Sequence, residues 1–319
     1  MALTEYSLTE SCEIDGLCAV CSIKGFCTQP KDMSPESVVS LACRASNGLG
    51  MLSSRFLGHR YDPKTDIVLV TGGSHGLGWA LACQVIQLQG VVVVMDVQPP
   101  PARDGLYYYR CDVSDKSQVL QCQKQIFRDV GIVTVLVNNA GITCGKNVVD
   151  LTFEEIEHII AVNLTACFYT VKAFLPDMIA EHRGYIVTVA SVLGYLSPAQ
   201  LSAYGASKAG LIALHESLTY ELGPPSTSPQ GIKTLLICPG QIRTGMFLEV
   251  HTPSWIAPQL EPKDVAAGIV SAILMGQRGE VRWPLYTNLL PFYRGLPWQV
   301  SEVVRCMSGV DTSMRTYAG

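Results

Sequence analysis

The stretch Ile67-Val-Leu-Val-Thr-Gly-Gly-Ser-His-Gly-Leu-Gly78 decides the fold. Its first four residues form a continuous apolar run, as a parallel strand buried on both faces requires. The glycines follow at once, and a helical stretch over about 77–89 comes next. A glycine-rich turn between strand and helix lets backbone approach a pyrophosphate. The helix N-terminus supplies N–H donors and a partial positive charge. The spacing is Gly72-x-x-x-Gly76-x-Gly78 rather than the commoner G-x-G-x-x-G, so the weight rests on the strand–turn–helix context. A glycine turn with no ligand is the plainer alternative.

Downstream, strand and helix alternate. Strands are expected at Val91–Met95, Leu106–Arg110, Val133–Val137, Tyr185–Val189, Lys233–Ile237 and near Glu280–Arg282. Helices are expected over about 115–129, 153–181, 204–222 and 263–275. This alternation predicts a single α/β domain over 65–285, a Rossmann-type, doubly wound parallel sheet with helices on both faces. Residues 1–64 read as a partly irregular extension, with one helical segment from Pro35 to Ala45. Residues 286–319 read as a C-terminal tail packing on the substrate or membrane side.

Composition narrows the function. The 319 residues are 48% hydrophobic and 16% charged, so a large core is feasible and disorder is disfavoured. A net charge of −4 without a basic stripe argues against nucleic acid. There is no unbroken run of 18 apolar residues, and the N-terminus lacks a basic start and an apolar core. A cytoplasmic protein is therefore expected. Most of the 12 cysteines sit in apolar segments and read as small buried hydrophobes. Cys12, Cys18, Cys21 and Cys27 are the exception. They could form a zinc-binding arm, but their outer spacings fit no common zinc module, and no metal is assigned.

Chemistry gathers at the expected strand ends. Asp96 ends the second strand, eighteen residues after Gly78, where a carboxylate can accept hydrogen bonds from the adenosine ribose hydroxyls. It would repel a 2′-phosphate, and the glycine turn holds no Arg or Lys. NAD is therefore expected over NADP. Asp112 and Val113 end the third strand, where they could meet the adenine. Asn138-Asn-Ala-Gly141 ends the fourth. Ser191 follows the fifth, with Tyr204 thirteen residues later and Lys208 four after that. Four residues apart on a helix share a face. A phenol with a pKa near 10 is a poor base at neutral pH, and a neighbouring ammonium lowers that value. Ser191 can then hold a substrate oxygen while Tyr204 exchanges its proton. Tyr-x-x-x-Lys alone is common on ordinary helices. Its meaning here comes from the serine and the upstream glycine turn.

With these motifs in order over about 65–285, the chain resembles the short-chain dehydrogenase/reductase family. The resemblance implies an NAD(P)-dependent oxidoreductase acting on CH–OH groups. It places Thr71, Gly72, Ser74, Gly76, Leu77 and Gly78 on the cofactor turn, and Asn139, Ala140 and Gly141 on the Asn-Asn-Ala-Gly motif. Asn163 falls on the helix asparagine that holds a proton-relay water, completing a tetrad with Ser191, Tyr204 and Lys208. Tyr204 and Lys208 also contact the cofactor. Pro239 and Gly240 open the segment in which Ile242 and Thr244 meet the nicotinamide amide.

A finer resemblance rests on Pro284-Leu-Tyr-Thr-Asn-Leu-Leu-Pro-Phe292, Leu296-Pro297 and Gly309–Met314. It points toward retinol and hydroxysteroid dehydrogenases, hence a lipophilic alcohol or ketone (retinoid, steroid, fatty or polyketide-like). It also implies a peripheral contact with endoplasmic reticulum or lipid droplets. Trp283, Leu289, Leu290, Phe292, Tyr293 and Trp298 are candidates for a pocket or a membrane face. Residues 246–255 are read as a cover over the substrate. By resemblance the helices over 153–181 and 204–222 pair in a homodimer or homotetramer. The alternative from a different class is a non-catalytic NAD-binding sensor or scaffold with the same fold.

Overall fold

The structure is a computed structural model that describes residues 60–223, 231–247 and 258–311. The helix expected over Pro35–Ala45 and the set Cys12, Cys18, Cys21 and Cys27 lie outside the described residues, as does most of 246–255.

Seven parallel strands form one sheet in the order β3-β2-β1-β4-β5-β6-β7. They are β1 (Ile67–Thr71), β2 (Val91–Asp96), β3 (Leu106–Arg110), β4 (Val135–Asn138), β5 (Gly184–Val189), β6 (Ile232–Pro239) and β7 (Gly279–Trp283). Between and after them run α1 (Gly76–Gln87), α2 (Lys116–Asp129), α3 (Phe153–Ala180), α4 (Ser202–Glu221), α5 (Pro262–Leu274) and α6 (Trp298–Ser308). The Rossmann-type expectation holds. The strand order reverses between β1 and β4, where open α/β sheets bind ligands.

Strand periodicity explains the two layers. Val68 and Val70 point to one face with Val92 and Val94, and pack under α1 and α5. Leu69, Val93 and Met95 point to the other, under α2 and α3. β1 over Ile67–Val70 and β2 over Val91–Met95 are apolar without a break because both faces are covered. β3 lies at the edge and has only half-buried and exposed positions.

Local chemistry fixes the helix starts. Asp115 caps α2 by accepting from the Ser117 and Gln118 amides. Thr152 and Glu155 form a capping box at α3. Pro262 occupies the first turn of α5. By length and composition α3 could cross a membrane. Here it covers the sheet, with Val162, Ala166, Phe174 and Met178 buried in the core. A wide π turn at Ala161–Thr165 interrupts it, a departure from the continuous helix that periodicity predicts. α6 is a second departure, since the sequence reading placed no helix in the tail.

Candidate active site

The carboxyl ends of the strands open into one cleft of about 1100 Å³. Its nucleotide end is built from backbone. Gly72 and Gly76 take left-handed conformations, with φ of +63° and +52°, which a side chain would strain. A Cβ on Gly78 would lie 2.1 Å from the Gly72 carbonyl oxygen. That glycine lets α1 begin directly against the turn.

Asn139 staples the same turn. Its Nδ2 donates to the Thr71 and Gly72 carbonyls at 3.0 and 3.1 Å. The Asn139 and Ala140 amides donate to Thr71 Oγ1 at 3.0 and 3.1 Å. Thr71, Ser74 and Gly78 are buried and do not face the cleft, so they shape the turn from behind. His75, at the N-cap of α1, makes no side-chain capping bond, which leaves the first helical amides to a ligand. His75 is exposed and lines the cleft.

Asp96 lies at the end of β2 in the cleft wall. Its carboxylate accepts from the Ser74 amide at 3.0 Å and the Gln98 amide at 3.1 Å. Two oxygens offer about four acceptor positions, so capacity remains for ribose hydroxyls. Ser74 Oγ donates to the Gln98 carbonyl at 2.5 Å, fixing the loop after the strand. Asp112 accepts from the Ser114 amide and hydroxyl, and lines the cleft with Val113. Gly76, Leu77, Ala140 and Gly141 are also in the wall.

The segment after β6 closes the other side. Gly240 donates to the Trp283 carbonyl at 2.6 Å, and Ile242 bridges to Leu260. Thr244 faces the glycine turn, its Cγ2 3.2 Å from where a Gly76 Cβ would stand. Pro239, Gly240, Ile242 and Thr244 all line the cleft. An uncapped helix start, a glycine cradle and a carboxylate with spare acceptors fit a nicotinamide dinucleotide.

Ser191, Tyr204 and Lys208 all line this cleft. Ser191 caps the single turn Val192–Gly194, its Oγ accepting from the Leu193 amide at 3.1 Å. Tyr204 and Lys208 share one face of α4, with Nζ 5.6 Å from the centre of the phenol ring. Lys208 is buried and donates to the Val189 carbonyl at 3.0 Å. Burial pushes its ammonium down to about 8.

Asn163 stands behind this group, fully buried within the π turn. Its Oδ1 accepts from the Ile142 amide at 2.8 Å. Its Nδ2 donates to the Ile142 carbonyl at 2.9 Å and to Ser207 Oγ at 3.0 Å. Ser207 in turn donates to the Tyr204 carbonyl at 2.6 Å. Asn163 thus ties the loop after β4 to the helix that carries Tyr204.

Beyond Tyr204 the cleft becomes apolar. Leu193, Leu196, Pro198 and Leu201 line it together with Tyr286, Leu289, Leu290, Phe292 and Tyr293 from the tail. Of the tail candidates, Trp283 is instead buried beneath α5 against Gly268, and Trp298 is 75% exposed. Sequence reasoning missed Ser207, Leu193, Leu196 and Tyr286. Ser207 sits one residue before Lys208, and the two leucines lie just past Ser191, so proximity to the motif was the available signal. Tyr286 gave none.

Residues 66–254 match a family model described as short chain dehydrogenase. An uncharacterized oxidoreductase of Saccharomyces cerevisiae is 37% identical over 256 residues, covering 78% of this chain and 83% of its own. Human epidermal retinol dehydrogenase 2 is 39% identical over 222 residues, covering 66% of this chain and 71% of its own. The ligand-free structure of Thermoplasma acidophilum aldohexose dehydrogenase aligns with a TM-score of 0.60 at 27% identity, covering 69% of this chain and 94% of that one.

Proposed function

The chain belongs to the short-chain dehydrogenase family of oxidoreductases, which use NAD(P) cofactors, and from that premise we propose that it interconverts an alcohol and a carbonyl on a lipophilic substrate with NAD. The convergence of Ser191, Tyr204 and Lys208 between a dinucleotide-shaped end and an apolar end carries this reading.

In the oxidative direction, Ser191 Oγ holds the substrate hydroxyl and Tyr204 takes its proton as phenolate. The Lys208 ammonium favours that phenolate by its charge. Bound NAD supplies the hydride acceptor. Asn163 and Ser207 keep α4 in register with the loop after β4. Asp96 favours NAD because its carboxylate would repel a 2′-phosphate.

The apolar wall from Leu193 to Tyr293 supports a hydrophobic substrate, in keeping with the resemblance to retinol dehydrogenase. Phe292, Trp298 and Met307 expose apolar surface on the tail, which supports a peripheral contact with a membrane or lipid droplet. Vesicle flotation tests that contact, and a protein that stays at the bottom of the gradient removes it.

The test of function is turnover. Purified protein is mixed with NAD or NADP and a panel of retinoid, steroid and long-chain alcohols, and formation of the reduced cofactor is followed. NAD-linked oxidation of at least one is expected. Turnover confined to small polar alcohols would remove the lipophilic assignment, and NADP-linked turnover would remove the NAD assignment.

A further inference from the structure

The loop after Ser191 lies between two parts of the chain distant in sequence. On one side is α4. A Cβ on Gly194 would stand 3.0 Å from the Lys208 carbonyl, and one on Gly205 would stand 1.9 Å from Ser197 Oγ. The loop therefore rests directly on the helix turns that carry Tyr204 and Lys208. On the other side is the tail.

Three tail side chains bond this loop through its backbone. Arg294 donates from Nη2 to the Gly194 carbonyl at 2.8 Å and from Nε to the Tyr195 carbonyl at 3.0 Å. Arg305 Nη2 donates to the Ser197 carbonyl at 3.0 Å. Asp311 Oδ1 accepts from the Ala199 amide at 2.9 Å. Arg305 and Asp311 are themselves paired, Nε to Oδ2 at 3.0 Å. Three loop carbonyls and one loop amide thus find charge-assisted partners, the stronger class of hydrogen bond. A fourth hold comes from β7, where Glu280 accepts from the Tyr195 hydroxyl at 2.6 Å.

The same loop supplies Leu193, Leu196 and Pro198 to the apolar wall. We infer that Arg294, Arg305 and Asp311 are positioning residues that set substrate selectivity by fixing the 194–199 loop between the tail and α4. The tail then acts twice. Tyr286, Leu290 and Tyr293 line the cleft directly, while the two arginines and the aspartate hold the 194–199 loop at a fixed distance from Tyr204. A bulky alcohol needs that distance, and a small one does not.

This inference rests on the proposed alcohol dehydrogenase reading, so its test carries one readout that does not. Arg294→Ala, Arg305→Ala and the charge-swapped Arg305→Asp/Asp311→Arg are compared with the full-length wild type. Hydrogen exchange of residues 193–201 should be at least about tenfold faster in each variant, the mark of local opening. KM for retinol should rise at least about tenfold in each variant. KM for cyclohexanol and the Kd for NADH should stay within about twofold.

The charge swap keeps an ion pair but puts an acceptor against the Ser197 carbonyl and a donor against the Ala199 amide. It should therefore fail to restore either readout. Restoration by the swap would reduce Arg305 and Asp311 to a stabilising ion pair and overturn the proposal. So would unchanged exchange, or equal loss on retinol and cyclohexanol. Should the wild type oxidise no alcohol, the functional reading falls, and exchange alone decides the clip.

Discussion

At the nucleotide end of the cleft, Gly72, Gly76 and Gly78 matter for the side chains they lack. At the substrate end, Leu193, Leu196, Tyr286 and Tyr293 matter for the side chains they carry. At the first end the glycine turn itself is contiguous in the chain, and the Asn139 and Thr71 side chains hold it through main-chain groups. The second is assembled from segments about a hundred residues apart, as in the bond from Arg294 to Gly194. A backbone site tolerates almost no substitution and serves one ligand class. A side-chain wall can be rebuilt residue by residue, which suits a fold that hosts many substrates.

The difference predicts that damage at the two ends looks unlike. Tyr204→Phe removes the proton-transfer group and nothing of the glycine turn. Its kcat should fall by about 10²–10⁴-fold, the usual worth of a positioned acid or base, while the Kd for NADH rises by no more than about tenfold, the worth of one hydroxyl contact. A variant that keeps its turnover would break the proposed mechanism, and one that loses NADH binding would break the separation of the two ends.

Gly78→Ala should do the opposite. The new methyl meets the Gly72 carbonyl, a backbone atom that cannot swing aside. Overpacking of this kind costs about 1–3 kcal/mol. The turn should shift, with a melting temperature lower by about 2–12 °C and NADH binding weakened by at least about tenfold. Unchanged binding would mean that the ligand does not use this turn.

Asp96→Ser is a subtler probe at the same end. It removes the charge that opposes a 2′-phosphate and the acceptor for the Ser74 and Gln98 amides. The ratio of kcat/KM for NAD to that for NADP should drop by about tenfold, with a stability loss of about 1–2 kcal/mol from the unpaired amides. An unmoved ratio would show that Asp96 only braces the loop.

Legibility in the sequence divides along the same line. β1, its glycine turn and α1 were readable because buried parallel strands are apolar throughout and the turn has its own residue chemistry. The spacing of Ser191, Tyr204 and Lys208 was readable because strand end and helix face fix their geometry. The π turn around Asn163 was not, since its hydrophobic period barely differs from that of an α-helix. α6 was not read either. Trp298, Val303 and Met307 are exposed, so the apolar stripe that marks a helix against a core is blurred. The links from Arg294, Arg305 and Asp311 to loop backbone leave no trace in sequence spacing, because backbone partners have no residue identity.

The last expected effect concerns pH and lies on α4, the helix that carries Tyr204. It carries two buried bases, Lys208 and His215. Burial pushes both down, Lys208 to about 8 and His215 to about 4. For each, the unfolded chain binds a proton that the folded chain releases, so stability rises with pH between the folded value and the ordinary one. For His215 the contribution is complete above about 6.5 and is lost as pH falls toward 4. At most it is on the order of 3 kcal/mol. For Lys208 a penalty stands below about 8 and is relieved as pH climbs toward the ordinary lysine value. Thermal melts from pH 4 to 10 separate the two. His215→Leu should flatten the acid limb and leave the alkaline limb alone, and Lys208→Met should do the reverse. A wild-type acid limb that survives His215→Leu unchanged would assign acid sensitivity to groups outside α4, and with it dissolve the last contrast between the two ends.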